Sequence, residues 1–360
     1  MASNMTEDSV MKSLKKVIEP ELFKDIVTLN MVKDLKINGN EISLTIILTT
    51  PACPLKGEIQ NRVEKAVKDD FPETGKININ WTSNVTAGRS GGKENLIPTI
   101  KNTIAVSSGK GGVGKSTVTV NLAVALAQAG AKVGLLDADV YGPNIPMMMG
   151  VTKSPVSEGG KLDPAESHNV KFISMAFMVE DDTPIVWRGP MIHGAIQQFL
   201  RDVNWGELDY LLIDLPPGTG DAQLSITQLI PLTGAIIVTT PQNVALLDSK
   251  RGLAMFQKVQ VPLLGIVENM SYFSCPHCHQ KTDIFSHGGG KVAADKLKVP
   301  FLGEIPIDPE IREGGDTGRP IVVSNPDSPQ AKAFVKIASQ LAAQISVMNA
   351  KSTTLRIVTV

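Results

Sequence analysis

The sequence is poor in cysteine and carries almost no net charge, and each shortage excludes a class of protein. Its 360 residues include only three cysteines, Cys53, Cys275 and Cys278. Three cysteines do not build a disulfide framework, which favours a reducing compartment. The formal net charge of −1 shows no overall basic bias, so we expect neither nucleic acid nor an anionic membrane as a partner.

Long apolar runs and a targeting segment are missing as well. Apolar runs such as 44–48 and 263–267 are far shorter than the roughly 18 to 20 residues that cross a bilayer. Residues 1–8 have neither the basic region nor the apolar region of a secretory signal. The sequence therefore predicts a cytoplasmic protein, and its apolar content of 42% is compatible with two domains and a large core.

The segment S-G-K-G-G-V-G-K-S-T at 108–117 lies between an apolar run and a stretch with helical periodicity. A strand-to-helix turn with G-x-x-x-x-G-K-[ST] is typical of a phosphate-binding loop, whereas a flexible glycine linker is the simpler alternative. Glycines let backbone N–H groups close around phosphate oxygens, and the helix N-terminus adds its positive end. The predicted nucleotide-binding residues here are Gly109, Lys110, Gly111, Gly112, Val113, Gly114, Lys115, Ser116 and Thr117.

Acidic residues follow two further apolar runs. Leu211–Asp214 is an apolar strand ending in an aspartate, the Walker B arrangement, so we expect Asp214 and the hydroxyl of Ser116 to hold Mg²⁺. Asp137 and Asp139 end another strand, where they could merely cap and solvate a loop. The N-K-x-D tetrapeptide that marks guanine specificity does not occur, so adenine is the preferred base.

Cys275 and Cys278 form a C-x-x-C pair that could grip one soft metal centre. A redox pair, unpaired buried thiols and a structural zinc completed by His279 and His287 are the alternatives. Iron–sulfur clusters need four thiolates, and one chain supplies two here. A symmetric dimer would bring two such pairs to its axis and complete the set.

The periodicity of the first part of the chain predicts a small α+β domain over residues 1–82, with the order αββαβ. Its predicted elements are a helix at 7–19, strands at 26–32 and 41–49, a helix around 59–67 and a strand at 76–81.

The segment 83–98 is rich in glycine, serine and charged residues and has no periodic apolar pattern, which predicts a flexible linker. Strands and helices then alternate over 99–350, which predicts an α/β domain whose mostly parallel sheet is covered by helices on both faces. The tail, 351–360, alternates like a strand and carries two charges.

The K-G-G-V-G-K-S loop resembles the deviant Walker A of the MinD/ParA-like ATPases. Together with D-A-D-V-Y-G-P, W-R-G-P-M, I-D-L-P-P-G-T-G-D, V-E-N-M and C-P-H-C, the stretch 99–350 resembles the Mrp/ApbC-type iron–sulfur cluster carrier ATPases. The N-terminal domain is similar to an αβ domain of metal–sulfur assembly factors, and T-P-A-C-P around Cys53 fits a segment of that domain.

The resemblance implies an ATP hydrolase with Mg²⁺ and roles for several side chains. Lys110 would reach the phosphates of a partner subunit, Lys115 would supply charge and Asp139 would position the attacking water, so these three are the catalytic candidates, with Asp137 in support. Asn269 and the segment 305–308 would contact the base.

The resemblance also implies a homodimer that holds a [4Fe-4S] cluster between paired Cys275 and Cys278. Cluster-assembly scaffold proteins would donate the cluster and apoproteins would receive it. The predicted metal ligands are thus Ser116, Asp214, Cys275 and Cys278. The alternative is a MinD/ParA-like positioning ATPase with a structural zinc site, against which the strand-like tail argues because a MinD-like protein needs an amphipathic basic C-terminal helix.

Overall fold

The computed structural model describes residues 5–88, 96–151, 157–158, 161–178, 189–218, 221–242, 252, 254–275, 277–278 and 280–357. The chain divides into two compact units, Met1–Thr86 with Ala342–Val360 and Ala87–Leu341. Residues 89–95 of the predicted linker lie outside the described residues. No helix within the described part of the chain is both long and apolar enough to cross a bilayer.

The N-terminal region has the predicted αββαβ order. Its elements are α1 (Glu7–Leu14), β1 (Val32–Asn38), β2 (Glu41–Leu48), α2 (Lys56–Asp70) and β3 (Ile77–Ser83). Strand β2 is the centre of the sheet, antiparallel to β1 and parallel to β3. Alternate residues of β2 are buried in a core that includes residues of both helices, as period-two burial requires.

The first strand was predicted at 26–32, and this prediction is wrong. Ile26 is buried in the core, but it belongs to a run of turns, in which Asp25 Oδ1 accepts a hydrogen bond from the backbone N–H of Thr28 at 2.7 Å. The strand that pairs with β2 starts at Val32 and is lysine-rich, with only its first residue fully buried. An edge strand needs no continuous apolar run, so its pattern is weak in the sequence.

The second region contains an eight-stranded sheet. In chain order its strands are β4 (Ile100–Ser108), β5 (Val133–Asp137), β8 (Ala165–Ser167), β9 (Val170–Ser174), β10 (Leu208–Asp214), β11 (Gly234–Thr239), β12 (Leu263–Glu268) and β15 (Phe301–Glu304). They lie side by side in the order β15-β12-β11-β4-β10-β5-β9-β8, in which seven strands run parallel and β8 is antiparallel at one edge. The mostly parallel sheet predicted from the alternation is confirmed.

Two short hairpins and the flanking helices complete this region. The hairpins are β6 (Ser157–Glu158) with β7 (Lys161–Leu162), and β13 (Phe273–Ser274) with β14 (Lys281–Thr282). The helices are α3 (Lys115–Gln128), α4 (Ile145–Met148), α5 (Gly189–Asp202), α6 (Asp221–Leu229), α7 (Gly289–Leu297), α8 (Pro309–Asp316), α9 (Ile321–Ser324) and the first part of α10 (Pro329–Ile357), whose residues from Ala342 onward belong to the other unit. Helix α3 is buried along almost its whole length, which places the residues that begin it next to the core.

The strand-like prediction for the tail is wrong. Helix α10 continues through Ile357, and 358–360 lie outside the described residues. Adding residues to an existing helix is far easier than starting a new element, and neither glycine nor proline interrupts the chain after 348. A short alternation therefore does not end a long helix.

Candidate functional site

The glycine-rich segment is a tight loop between β4 and α3, as the motif predicted. Gly112 and Gly114 have φ of 77° and 78°, in the left-handed region that favours glycine. A Cβ atom on Gly114 would lie 2.2 Å from Nδ2 of Asn269. The loop therefore depends on glycine for its backbone conformation and for the close approach of the neighbouring segment.

Four of the predicted catalytic and Mg²⁺-binding residues meet at the start of α3. Lys115 Nζ donates to Asp214 Oδ2 at 2.7 Å and lies 3.5 Å from Asp139 Oδ2. Ser116 Oγ donates to the same Asp214 oxygen at 2.6 Å, and Thr119 Oγ1 donates to Asp214 Oδ1 at 2.8 Å. The side chains of Lys115 and Asp214 are 5% and 0% exposed, so this is a buried charge network at the carboxyl ends of parallel strands.

Asp137 holds the loop that carries Asp139. Asp137 Oδ1 accepts from the backbone N–H of Asp139 at 3.2 Å, and Oδ2 accepts from Ser174 Oγ at 2.7 Å. Complete burial and, to a smaller extent, the nearby Asp214 raise the pKa of Asp137 to about 8, against the opposing effect of the hydrogen bond from Ser174. Asp137 thus fixes the position of the Asp139 backbone.

Two adjoining clefts lie on either side of the loop. One, of about 370 Å³, is lined by the loop itself together with Asp139, Tyr141 and Pro217. The other, of about 640 Å³, is lined by Asn269, Met270, Phe273 and residues of 306–316. Gly114, Thr117 and Met148 line both clefts, so a ligand with phosphates in the first could place an apolar ring in the second.

Asn269 and the segment 305–308, assigned to the base by resemblance, do border the larger cleft. Asn269 Nδ2 donates to the carbonyl oxygen of Val113 at 2.8 Å, which holds it against the loop. Helix α8 also lines this cleft through Ile311, Arg312 and Gly315, and these residues were not anticipated. The signal for α8 was present, because Asp308 caps the helix and Pro309 occupies its first position.

The Lys110 side chain forms a hydrogen bond within its own subunit. Its Nζ donates to Gln242 Oε1 at 3.0 Å. The reach of Lys110 to a partner subunit's phosphates stays a prediction. Thr219 and Gly220 of the I-D-L-P-P-G-T-G-D segment lie outside the described residues, as do Trp187 and Arg188 of the W-R-G-P-M segment.

The cysteine pair lies in the β13–β14 hairpin. The backbone N–H of Cys275 donates to the carbonyl oxygen of Gln280 at 3.0 Å. The backbone N–H groups of Cys278 and His277 hold the pKa of the Cys275 thiol below its ordinary value, and the Cys278 side chain lowers it further. Cys275 is half-buried, Cys278 is exposed and neither forms a disulfide, so the pair is open to a ligand from solvent.

Two further histidine and cysteine assignments can be placed. His287, a candidate zinc ligand, lies with Glu268 and Glu304 in a different cluster, while His279 lies outside the described residues. Cys53 is half-buried against the N-terminal core, and burial raises the pKa of its thiol.

Comparison with known families assigns both parts of the chain. Residues 99–342 match the ParA family described as NUBPL iron-transfer P-loop NTPase, and residues 7–81 match a family described as iron-sulfur cluster assembly protein. The iron-sulfur cluster carrier protein of Synechocystis sp. is 52% identical over 348 residues, covering 95% of this chain and 98% of that protein. The mouse iron-sulfur cluster transfer protein NUBPL is 50% identical over 252 residues, covering 69% of this chain and 79% of that protein.

Solved structures give the same fold. The nucleotide-binding protein of Archaeoglobus fulgidus in complex with ADP matches with a TM-score of 0.58 and 43% identity, over 66% of this chain and 92% of that one. The cell division ATPase MinD of Pyrococcus furiosus matches with a TM-score of 0.52 and 30% identity, over 67% and 98%. The buried lysine–aspartate network and the open cysteine pair thus occur in a chain that belongs to the family of NUBPL iron-transfer P-loop NTPases.

Proposed function

We propose that this protein is an ATP-hydrolysing iron–sulfur cluster carrier, which holds a [4Fe-4S] cluster at a homodimer interface and transfers it to apoproteins. The observation that carries the proposal is the run of chain from Asn269 to Cys278. It starts against the phosphate-binding loop and leads into the open cysteine hairpin. The names of the relatives, which are carrier and transfer proteins for iron–sulfur clusters, support the same function.

The nucleotide part of the proposal rests on the loop and its acids. Backbone N–H groups of the loop and the N-terminus of α3 would bind the phosphates, and Lys115 would turn from Asp214 toward them. Ser116 and Asp214 would hold Mg²⁺, which would offset the negative charge of the phosphates. Asp139, 10% exposed and held by its neighbour Asp137, would orient the attacking water.

The cargo part rests on the number of thiolates. Each chain offers Cys275 and Cys278, whereas a [4Fe-4S] cluster takes four cysteine ligands. A twofold partner would supply the other pair. The lowered pKa of Cys275 favours the thiolate form that binds iron, and donor scaffolds and recipient apoproteins would reach the cluster from solvent.

The test is anaerobic reconstitution with iron and sulfide. We expect the wild-type protein to take up one cluster per dimer with a charge-transfer absorption band, and the Cys275→Ala/Cys278→Ala variant to lack both iron and band. Lys115→Ala serves as the matched control, since it should lose ATP turnover and keep the cluster. A band that persists in the double cysteine variant, or a cluster in a monomer, would contradict the proposal.

The positioning ATPase with structural zinc is the weaker candidate. His287 lies in a cluster with two glutamates, so the zinc site predicted at the cysteine pair loses one of its four expected ligands. The helical tail removes the earlier argument against this candidate, because a MinD-like function calls for a C-terminal helix. The tail carries only two basic residues, Lys351 and Arg356, which is few for binding an anionic membrane.

A further inference from the structure

One cluster of metal-ligating side chains lies outside both the phosphate-binding loop and the cysteine pair. Glu268, His287 and Glu304 each place a ligand atom within 4.8 Å of the other two. Glu268 ends β12 and Glu304 ends β15, and the two residues are register partners in the parallel ladder. Their carboxylates therefore lie side by side at the carboxyl ends of the two strands, and His287, just before α7, completes the group.

The cluster is rich in negative charge. Glu268 is completely buried, and its carboxylate accepts hydrogen bonds from Ser271 Oγ at 2.5 Å, the backbone N–H of Gly288 at 3.0 Å and the backbone N–H of Gly290. Among the described residues, no lysine or arginine forms an ion pair with Glu268 or Glu304. His287 Nε2 lies 2.8 Å from Glu304 Oε2, within hydrogen-bonding distance. A bound cation would offset the negative charge of a buried carboxylate that lies beside a second one.

The cluster is also accessible and pre-arranged. The side chains of His287 and Glu304 are 43% and 35% exposed, so an ion can enter from solvent. Ser271 Oγ contacts carboxylate oxygens of both Glu268 and Glu304, at 2.5 and 3.3 Å. A shared hydrogen-bonding group of this kind orients metal ligands before the ion binds.

We propose that Glu268, His287 and Glu304 form a binding site for one divalent first-row transition metal ion. Two carboxylates and one imidazole are a mixed oxygen and nitrogen set, which suits Mn²⁺, Fe²⁺, Co²⁺ or Zn²⁺ and leaves positions for water. The set is chemically distinct from the cysteine pair, whose thiolates favour softer centres.

The position of this site in the chain gives it a structural consequence. The β13–β14 hairpin with its cysteines is inserted between Glu268 and His287. Tyr272, at the start of this insertion, contacts the His287 ring edge-on with 6.1 Å between centroids. An ion bound by Glu268 and His287 therefore ties together the two chain ends from which the hairpin projects, and restrains it.

The first test is a Mn²⁺ titration followed by electron paramagnetic resonance, without nucleotide, on the full chain carrying Cys275→Ser and Cys278→Ser. We expect one Mn²⁺ to bind, with affinity at least about tenfold lower after His287→Gln or Glu304→Gln. His193→Gln and Asp283→Asn change exposed residues outside the cluster, and Ser116→Ala changes the phosphate-binding loop. These three variants should titrate like their parent.

Equal Mn²⁺ affinity in His287→Gln, Glu304→Gln and the parent would overturn the proposal, and so would loss of binding in Ser116→Ala. His287 and Glu304 are partly exposed, so their substitution need not unfold the chain, and circular dichroism checks this. Co²⁺ gives a second reading in the same background. Oxygen and nitrogen ligands should produce weak visible bands that vanish in His287→Gln.

The second test measures backbone hydrogen exchange in the segment 271–282. Exchange should slow when Mn²⁺ is added to the parent and should stay unchanged in His287→Gln. Slowing of the same size in both proteins would show that the ion restrains the hairpin from elsewhere, and it would refute the assignment.

Discussion

The phosphate-binding loop and the cysteine hairpin belong to the same α/β region, yet they differ in how the fold holds them. Lys115 and Asp214 are buried and linked to Ser116 and Thr119 on α3. The cysteines lie between two strands of only two residues each, and Cys278 is exposed. The charged residues of the phosphate-binding loop are thus part of the core. The cysteines lie outside the core, and we expect that they can be replaced without disturbing it.

Lys115→Ala should give the largest effect, because it removes chemistry and stability together. It leaves the buried Asp214 without its ion-pair partner and removes the same cation from Asp139. We expect ATP turnover to fall at least about a hundredfold and the free energy of unfolding to fall by about 3–5 kcal/mol. Turnover assays and denaturant titration measure the two. Unchanged stability would mean that the network is not part of the core.

Gly114→Ala should come next. Its added Cβ meets Asn269 Nδ2 at 2.2 Å, and the residue has a positive φ of 78°, so we expect a loss of about 1–3 kcal/mol in stability and weaker nucleotide binding. Gly111→Ala is the matched control in the same loop, since its Cβ would meet only Pro217 at 4.0 Å. Fluorescent nucleotide titration compares the two, and equal affinities would contradict the steric argument.

The thiol of Cys275 in the hairpin should react with alkylating agents at a lower pH than the thiol of Cys53 in the N-terminal region. The pKa of Cys275 is lowered by backbone N–H groups and that of Cys53 is raised by burial. Because the thiolate is the nucleophile, alkylation of Cys275 in the metal-free protein should reach half its maximal rate at a lower pH than alkylation of Cys53. Mass spectrometry of tryptic peptides measures both rates. In denaturant the two profiles should converge, and identical profiles in the folded protein would contradict the shifts.

The smallest effect should be that of Cys275→Ala/Cys278→Ala on the metal-free protein. Neither thiol is fully buried, so the free energy of unfolding should change by less than about 0.5 kcal/mol, and ATP turnover should persist. Thermal and denaturant unfolding check this. A large loss of stability would show that the hairpin contributes to the core, and the contrast between the two regions would fail.

Local patterns account for much of what could be predicted. The glycine-rich loop, the strand ending at Asp214 and the C-x-x-C pair are each contiguous in the chain, and their chemistry depends on that spacing. The strand at 26–32 was misplaced because Ile26 is buried in a turn, where burial gives the same apolar signal as a strand. Helix α8 was missed because its hydrophobic period is short, although its capping residues marked it.

The amino-acid sequence alone determined the chemistry available: a loop that can bind phosphates, acidic residues that can hold Mg²⁺, and a pair of thiols that is only half of what a [4Fe-4S] cluster needs. The tertiary structure decided which distant groups meet. Asp214 reaches Lys115, and Glu304 reaches Glu268 and His287, only through the order and register of parallel strands. That register follows from crossover connections and packing on both faces of the sheet, which no local spacing of residues records.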